Sequence, residues 1–184
     1  MKNDYINIIS IDPGTNMGIS IITLEIPSLR IVSVNTCSID LSLLTKPNEL
    51  ENNLLLRTQA IMRIVTGIME DYKPRVLAME AAFVNTRFPK SVMYLSQYIA
   101  SISLAVTTAD PFIKIFNYPP KKVKATVSVG GANKDDMLTA VSKIDELNKH
   151  IVIETLTEHE IDSLAIGYAY IKELRENPVL MLMI

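Results

Sequence analysis

The sequence is poor in the side chains that staple or metallate small folds, with one cysteine, Cys37, and two histidines, His150 and His159. A lone cysteine closes no internal disulfide, and such a chain fits a reducing compartment. So few soft ligands also exclude a structural zinc site. No apolar run approaches the roughly eighteen residues that span a bilayer. The N-terminal Met1-Lys2-Asn3-Asp4-Tyr5 lacks the apolar core of a signal peptide. The expectation is a soluble, cytoplasmic chain with no membrane partner. Repeats, low-complexity tracts and linkers are missing too, so residues 1–184 are read as a single domain. A basic excess is also lacking: the net charge of −2 counts weakly against a nucleic-acid partner. Local patches still matter, and Lys114, Lys121, Lys122, Lys124 and Lys134 crowd one stretch.

What is present is an ordinary folding composition, 48% hydrophobic and 21% charged. The first forty or so residues alternate or run apolar in strand fashion. Strands are expected over Ile6–Ile11, Ile19–Leu24 and Leu29–Ile39, with Pro27-Ser28 as a turn, which makes an antiparallel meander. Cys37, inside the third, reads as a small core filler. Helical periodicity follows from Glu49 to Tyr72, with Leu54, Ile61, Val65, Ile68 and Met69 as its buried stripe. Arg75–Glu80 is a buried strand ending on a carboxylate. A helix from Pro89 to Thr107 carries Val92, Leu95, Ile99, Ile102 and Val106 in steps of 3 and 4. That seam serves an internal neighbour or a second copy equally well. Phe112–Phe116 is a fifth strand, then come a basic helix over Pro120–Val127, a helix from Lys134 to Ile144 that Asn133 can cap, and a last helix from Thr157 to Leu174. The apolar Val179–Ile184 reads as a last strand or a segment packed on another chain. The pattern is α/β: a mixed five-stranded sheet, meander plus parallel strands, flanked by helices.

Asp12-Pro13-Gly14-Thr15 ends the first strand. Asp, Pro and Gly are turn formers, which is one reading. The other is that Asp12 lands at the sheet edge with glycines nearby that let a phosphate or another backbone approach. Glu80 ends an apolar strand; a half-buried carboxylate needs a salt bridge or a cation. Thr157 and Glu160 form a capping-box pattern, which gives Glu160 a structural task. His159 and Asp162 share a helix face, and Glu158 stands close to it. Carboxylates and an imidazole from two strand ends and a late helix would suit Mg²⁺ or Mn²⁺. Such an ion activates water or steadies a leaving oxygen in phosphodiester hydrolysis. An imidazole can ligate or move a proton near neutral pH. Lys121, Lys122 and Lys124 could equally be a solvated face. Asp135 and Asp136 sit in a first helical turn and carry no chemistry.

Taken in order, Asp12-Pro13-Gly14, Met79-Glu80-Ala81-Ala82-Phe83, the basic segment Phe116-Asn117-Tyr118 through Val123-Lys124-Ala125-Thr126-Val127 to Lys134, and His159-Glu160-Ile161-Asp162-Ser163-Leu164-Ala165-Ile166 resemble the RuvC-type Holliday-junction resolvases. The resemblance implies an RNase H-like fold and metal-dependent cutting of four-way DNA junctions by a homodimer. It implies Asp12, Glu80, His159 and Asp162 as the catalytic metal-binding set. Phe83 would stack on bases at the branch point, and Lys124 and Lys134 would touch backbone phosphates. Divergence from the family pattern, including a shorter first loop, points to a phage or mobile-element relative. Two rivals are a nucleotide-binding ATPase of the actin and sugar-kinase type, which opens on a similar Asp-x-Gly-Thr loop, and an RNase H-like nuclease acting on structured RNA.

Overall fold

The computed structural model describes residues 5–44, 50–82, 89–127 and 134–183, side chains at 50–52, 89 and 134–136 excepted. Five strands run β1 (Tyr5–Asp12), β2 (Asn16–Glu25), β3 (Arg30–Asp40), β4 (Val76–Glu80) and β5 (Lys114–Tyr118). The helices are α1 (Leu50–Tyr72), α2 (Pro89–Ala109), α3 (Pro120–Val127), α4 (Lys134–Val141), the short α5 (Asp145–Asn148) and α6 (Glu158–Glu176). The strand order is β3-β2-β1-β4-β5. β1, β2 and β3 form the antiparallel meander, while β4 and β5 continue parallel to β1.

Side chains alternate across the pleat, so each strand feeds two cores. Ile8, Ile22, Val34, Val76 and Ala78 face α6 and its neighbours. Ile9, Ile11, Ile19, Leu77 and Met79 face α1 and α2. Both faces are covered, which is why β1 and β4 read as near-continuous apolar runs. The α2 seam turns inward: Ile102 and Val106 are buried in the same core as Ile61 and Val65 of α1.

Two expectations fail. The strand reading of the C-terminal segment is corrected: Pro178–Met183 forms a 3₁₀ helix, with Leu180 and Met181 against the α6-side core. Pro178 supplies no N–H for a ladder. Cys37 is exposed rather than a core filler. β3 is an edge strand, and its cover fades beyond Val34. A further difference concerns α2: Lys90–Ala109 is long and apolar enough to cross a membrane, by length and composition only, and only 22% of its window is buried. The capping residue Asn133 lies outside the described residues.

Candidate functional site

Strand parity places the first two carboxylates. Ile11 pairs with Met79 across the parallel β1–β4 ladder, so Asp12 and Glu80 end adjacent strands at the same edge. Ile11 and Met79 both face α1 and α2. One residue further on, the pleat turns Asp12 and Glu80 to the opposite face, where α6 crosses.

α6 begins on a complete capping box. Thr157 accepts from the Glu160 backbone N–H, and the Glu160 carboxylate takes the Thr157 N–H at 2.9 Å. Glu160 also accepts from Thr36 Oγ1 at 3.1 Å, tying the first turn to β3. Its role is structural, as the spacing predicted. Gly18, paired with Asp12 in the β1–β2 ladder, makes the approach possible. A Cβ there would lie 1.8 Å from the His159 carbonyl oxygen and 2.4 Å from its carbon. The glycine therefore admits another backbone, one of the two uses the sequence left open.

That turn delivers His159 and Asp162 to the carboxylates. His159 Nδ1 lies 3.1 Å from Asp12 Oδ2, a part-buried pair. Burial raises Asp12 above the usual carboxylate range, partly offset by His159, with Glu158 adding to the rise. Glu80 is pushed up to about 7, first by burial and then by repulsion from Asp12 and Asp162, with Lys124 acting against it. Asp162 rises to about 6 through burial and the charges of Asp12 and Glu158, opposed by His159 and Lys124. The three acids thus feel one another across one small region. Carboxylates held together against their own repulsion have an electrostatic demand for a cation.

The donor chemistry, hard oxygens with one imidazole, suits a divalent ion of the magnesium kind. Among the described residues, no three acidic, histidine or cysteine side chains are already drawn together as a closed ligand set. Asp12 and His159 are turned toward each other instead. Beside them opens a cavity of ≈420 Å³ whose walls include Glu80, Lys124, Glu158 and Asp162.

The basic segment divides. Lys124 stands at the cavity with Glu80 and Asp162. Lys122 sits 2.7 Å from Glu173 and 4.8 Å from the centre of the Tyr118 ring, so much of its charge is answered within the fold. Lys121 is exposed on α3. Phe83 and the side chains of Lys134, Asp135 and Asp136 lie outside the described residues. Sequence reasoning missed the close crossing of α6 over the sheet. Ser20 Oγ and Ser163 Oγ are 2.7 Å apart, both buried, and a Cβ on Gly167 would come 2.6 Å from Ser10 Oγ. No spacing rule announces such small residues, because their partners are distant in sequence.

The raised carboxylates predict a pH signature in metal-free protein. Glu80 holds its proton more tightly folded than unfolded, so its ionisation costs the folded state stability as pH rises from about 4.5 through about 7. Glu80→Gln removes that cost. In EDTA the variant should melt with wild type at low pH and progressively above it as pH passes through that window. A gap that stays constant or closes on raising pH would contradict the assignment; thermal melts followed by circular dichroism decide.

This is an α/β protein of the RNase H-like class, with acids at neighbouring strand ends and on the crossing helix. The chain belongs to the family of the crossover junction endodeoxyribonuclease RuvC, whose model matches residues 8–170. Its members are nucleases, and this chain is an endodeoxyribonuclease of the Holliday-junction-resolving kind. It is 30% identical over 166 residues to the crossover junction endodeoxyribonuclease RuvC of Chlamydia pneumoniae, covering 89% of this chain and 90% of that one. In fold it resembles T. thermophilus RuvC in complex with Holliday junction substrate, with a TM-score of 0.72 and 18% identity over 94% of this chain and 97% of that one. The yeast mitochondrial Holliday junction resolvase is similar at a TM-score of 0.61 and 11% identity, over 91% of this chain and 78% of the other. The expectations drawn from the four motifs about family, fold class and activity agree with these likenesses.

Proposed function

We propose that this chain resolves four-way DNA junctions by divalent-metal-dependent hydrolysis, with Asp12, Glu80, His159 and Asp162 as the working set. The observation that carries the reading is the convergence of three mutually repelling carboxylates and an imidazole at one sheet edge. Mg²⁺, with Mn²⁺ as a substitute, is the cation that oxygen donors of this kind would hold, and it would supply charge neutralisation and an activated water. Asp12, Glu80 and Asp162 would hold it, with Glu158 a further acid at the cavity wall. His159, 3.1 Å from Asp12, would complete the set as a ligand or a proton carrier.

Lys124, Lys121 and Lys134 would contact backbone phosphates, and Lys122 to a smaller degree because Glu173 already answers it. Phe83 would stack on bases at the branch point, as the family resemblance implies. A homodimer is supported by the outward face of α2. Met93, Gln97, Ala100 and Leu104 recur in steps of 4 and 3 and are all exposed. Leu55 and Leu56 of the neighbouring α1 are exposed as well. A largely apolar stripe of that kind, interrupted by Gln97, is what a second copy would cover.

The test is incubation of purified protein with labelled four-way junction, linear duplex and stem-loop RNA, with and without Mg²⁺. Paired nicks at symmetric positions of the junction are expected, only with metal and without ATP. Cutting of the stem-loop RNA in preference to the junction would favour the RNA-processing rival, and ATP turnover with intact DNA the ATPase. Lys124→Ala should weaken junction binding and lower the slope of log affinity against log salt by about 0.9. The same affinity across ionic strengths would remove this lysine from the interface.

A further inference from the structure

The cavity beside Glu80 and Asp162 is lined by two unlike sets of side chains. One is ionic, formed by Glu80, Glu158, Asp162 and Lys124. The other is apolar, formed by Val123, Met137, Leu138, Leu156, Ile161 and Ile166. Phosphodiester hydrolysis uses only the first, since a phosphate gains nothing from hydrocarbon. At ≈420 Å³ the space falls within the ~300–1,000 Å³ of clefts that enclose organic ligands. A single cavity that offers both charged and apolar side chains suits the two halves of a nucleotide, an anionic phosphate and a flat base.

We propose that this slot receives one unstacked nucleobase next to the phosphate being cut, and that Leu138 and Leu156 at its wall set which base is preferred. The inference deepens the nuclease reading and rests on it. A branch point is the cheapest place in a duplex to supply such a base, because pairing and stacking are already disturbed there. An apolar wall discriminates by size and shape rather than by hydrogen bonds, so the preference is graded, on the order of tenfold between bases. Val123, Met137, Ile161 and Ile166 are nearly fully buried and give the slot a fixed floor. Leu138 is 36% exposed, so it can be replaced without emptying the core. α3, α4, α6 and the turn before α6 each contribute to the wall, which ties base choice to the same helices that carry Lys124 and Asp162.

The experiment places 2-aminopurine at each position flanking the cut in a four-way junction and reads its fluorescence with the full chain bound in calcium. Junction affinity is measured separately by anisotropy, and cutting rates are taken in magnesium on junctions differing only at the flanking base. One position should brighten on binding. Leu138→Trp, which fills the slot, should return that signal to the free-junction level and shrink the spread of cutting rates by about tenfold on junctions the anisotropy shows to be bound. Leu138→Ala, which widens the slot, should shift the preference toward purines. The proposal is overturned if no position brightens, or if Leu138→Trp leaves both signal and base preference unchanged. A chain that neither binds nor cuts the junction would overturn the nuclease reading and the slot together, an outcome the anisotropy identifies by itself.

Discussion

Asp12→Asn should leave the protein folded and able to hold a four-way junction while slowing cutting by at least about 10²-fold. The amide has the shape of the carboxylate and can still meet His159 Nδ1, now 3.1 Å from the acid. What it lacks is the charge, and the charge is what the cation would need. Its loss has a second consequence in the metal-free protein. Asp12 is the leading charge raising Glu80 and Asp162, so both should ionise at lower pH in the variant. Single-turnover cutting and junction binding, measured on the same preparation, separate the two effects. Wild-type cutting by Asp12→Asn would show that the site lies elsewhere.

The second large effect is expected at a residue with no side chain. Gly18→Ala puts a methyl group where the His159 carbonyl oxygen now stands, 1.8 Å from the new Cβ. The obstacle is helix backbone fixed by a capping box, so no rotamer change relieves it. The first turn of α6 must lift from β2, at a cost of about 1–3 kcal/mol or more. His159 and Asp162 ride on that turn, so cutting should fall far more than the lost stability explains at temperatures where the variant is folded. Gly67 is the control: nothing lies within 4 Å of a Cβ added there, and Gly67→Ala should stabilise α1 by up to about 1 kcal/mol without touching activity. Equal, mild effects at the two glycines would mean that α6 has room over β2 and that its register does not position the site.

Much of the site was legible because each part announces itself locally. A carboxylate after a buried apolar strand can be read from a single segment, as with Asp12 and Glu80, and the Thr157–Glu160 box marks where α6 starts. Other features depend on where distant segments meet. The seam of α2 fits an internal or an external partner equally, and only packing against α1 assigned Ile102 and Val106 to the interior. Cys37 sits in an alternating pattern like a core residue, yet the edge position of β3 exposes it. Lys122 looks like its neighbours in a basic run until Glu173, fifty-one residues away, claims it.

The sequence by itself determined the five strands, the helices between them apart from α5 and the earlier end of α4 at Val141, and the chemical identity of the acids, because periodicity, caps and strand-end carboxylates are properties of short windows. Tertiary structure alone decided that Asp12 and Glu80 share a face, that Gly18 and Gly167 let α6 lie close on the sheet, and that an apolar slot adjoins the acids. Those facts arise from strand register and interhelical contact, which couple residues far apart in the chain and leave no periodic trace in either segment.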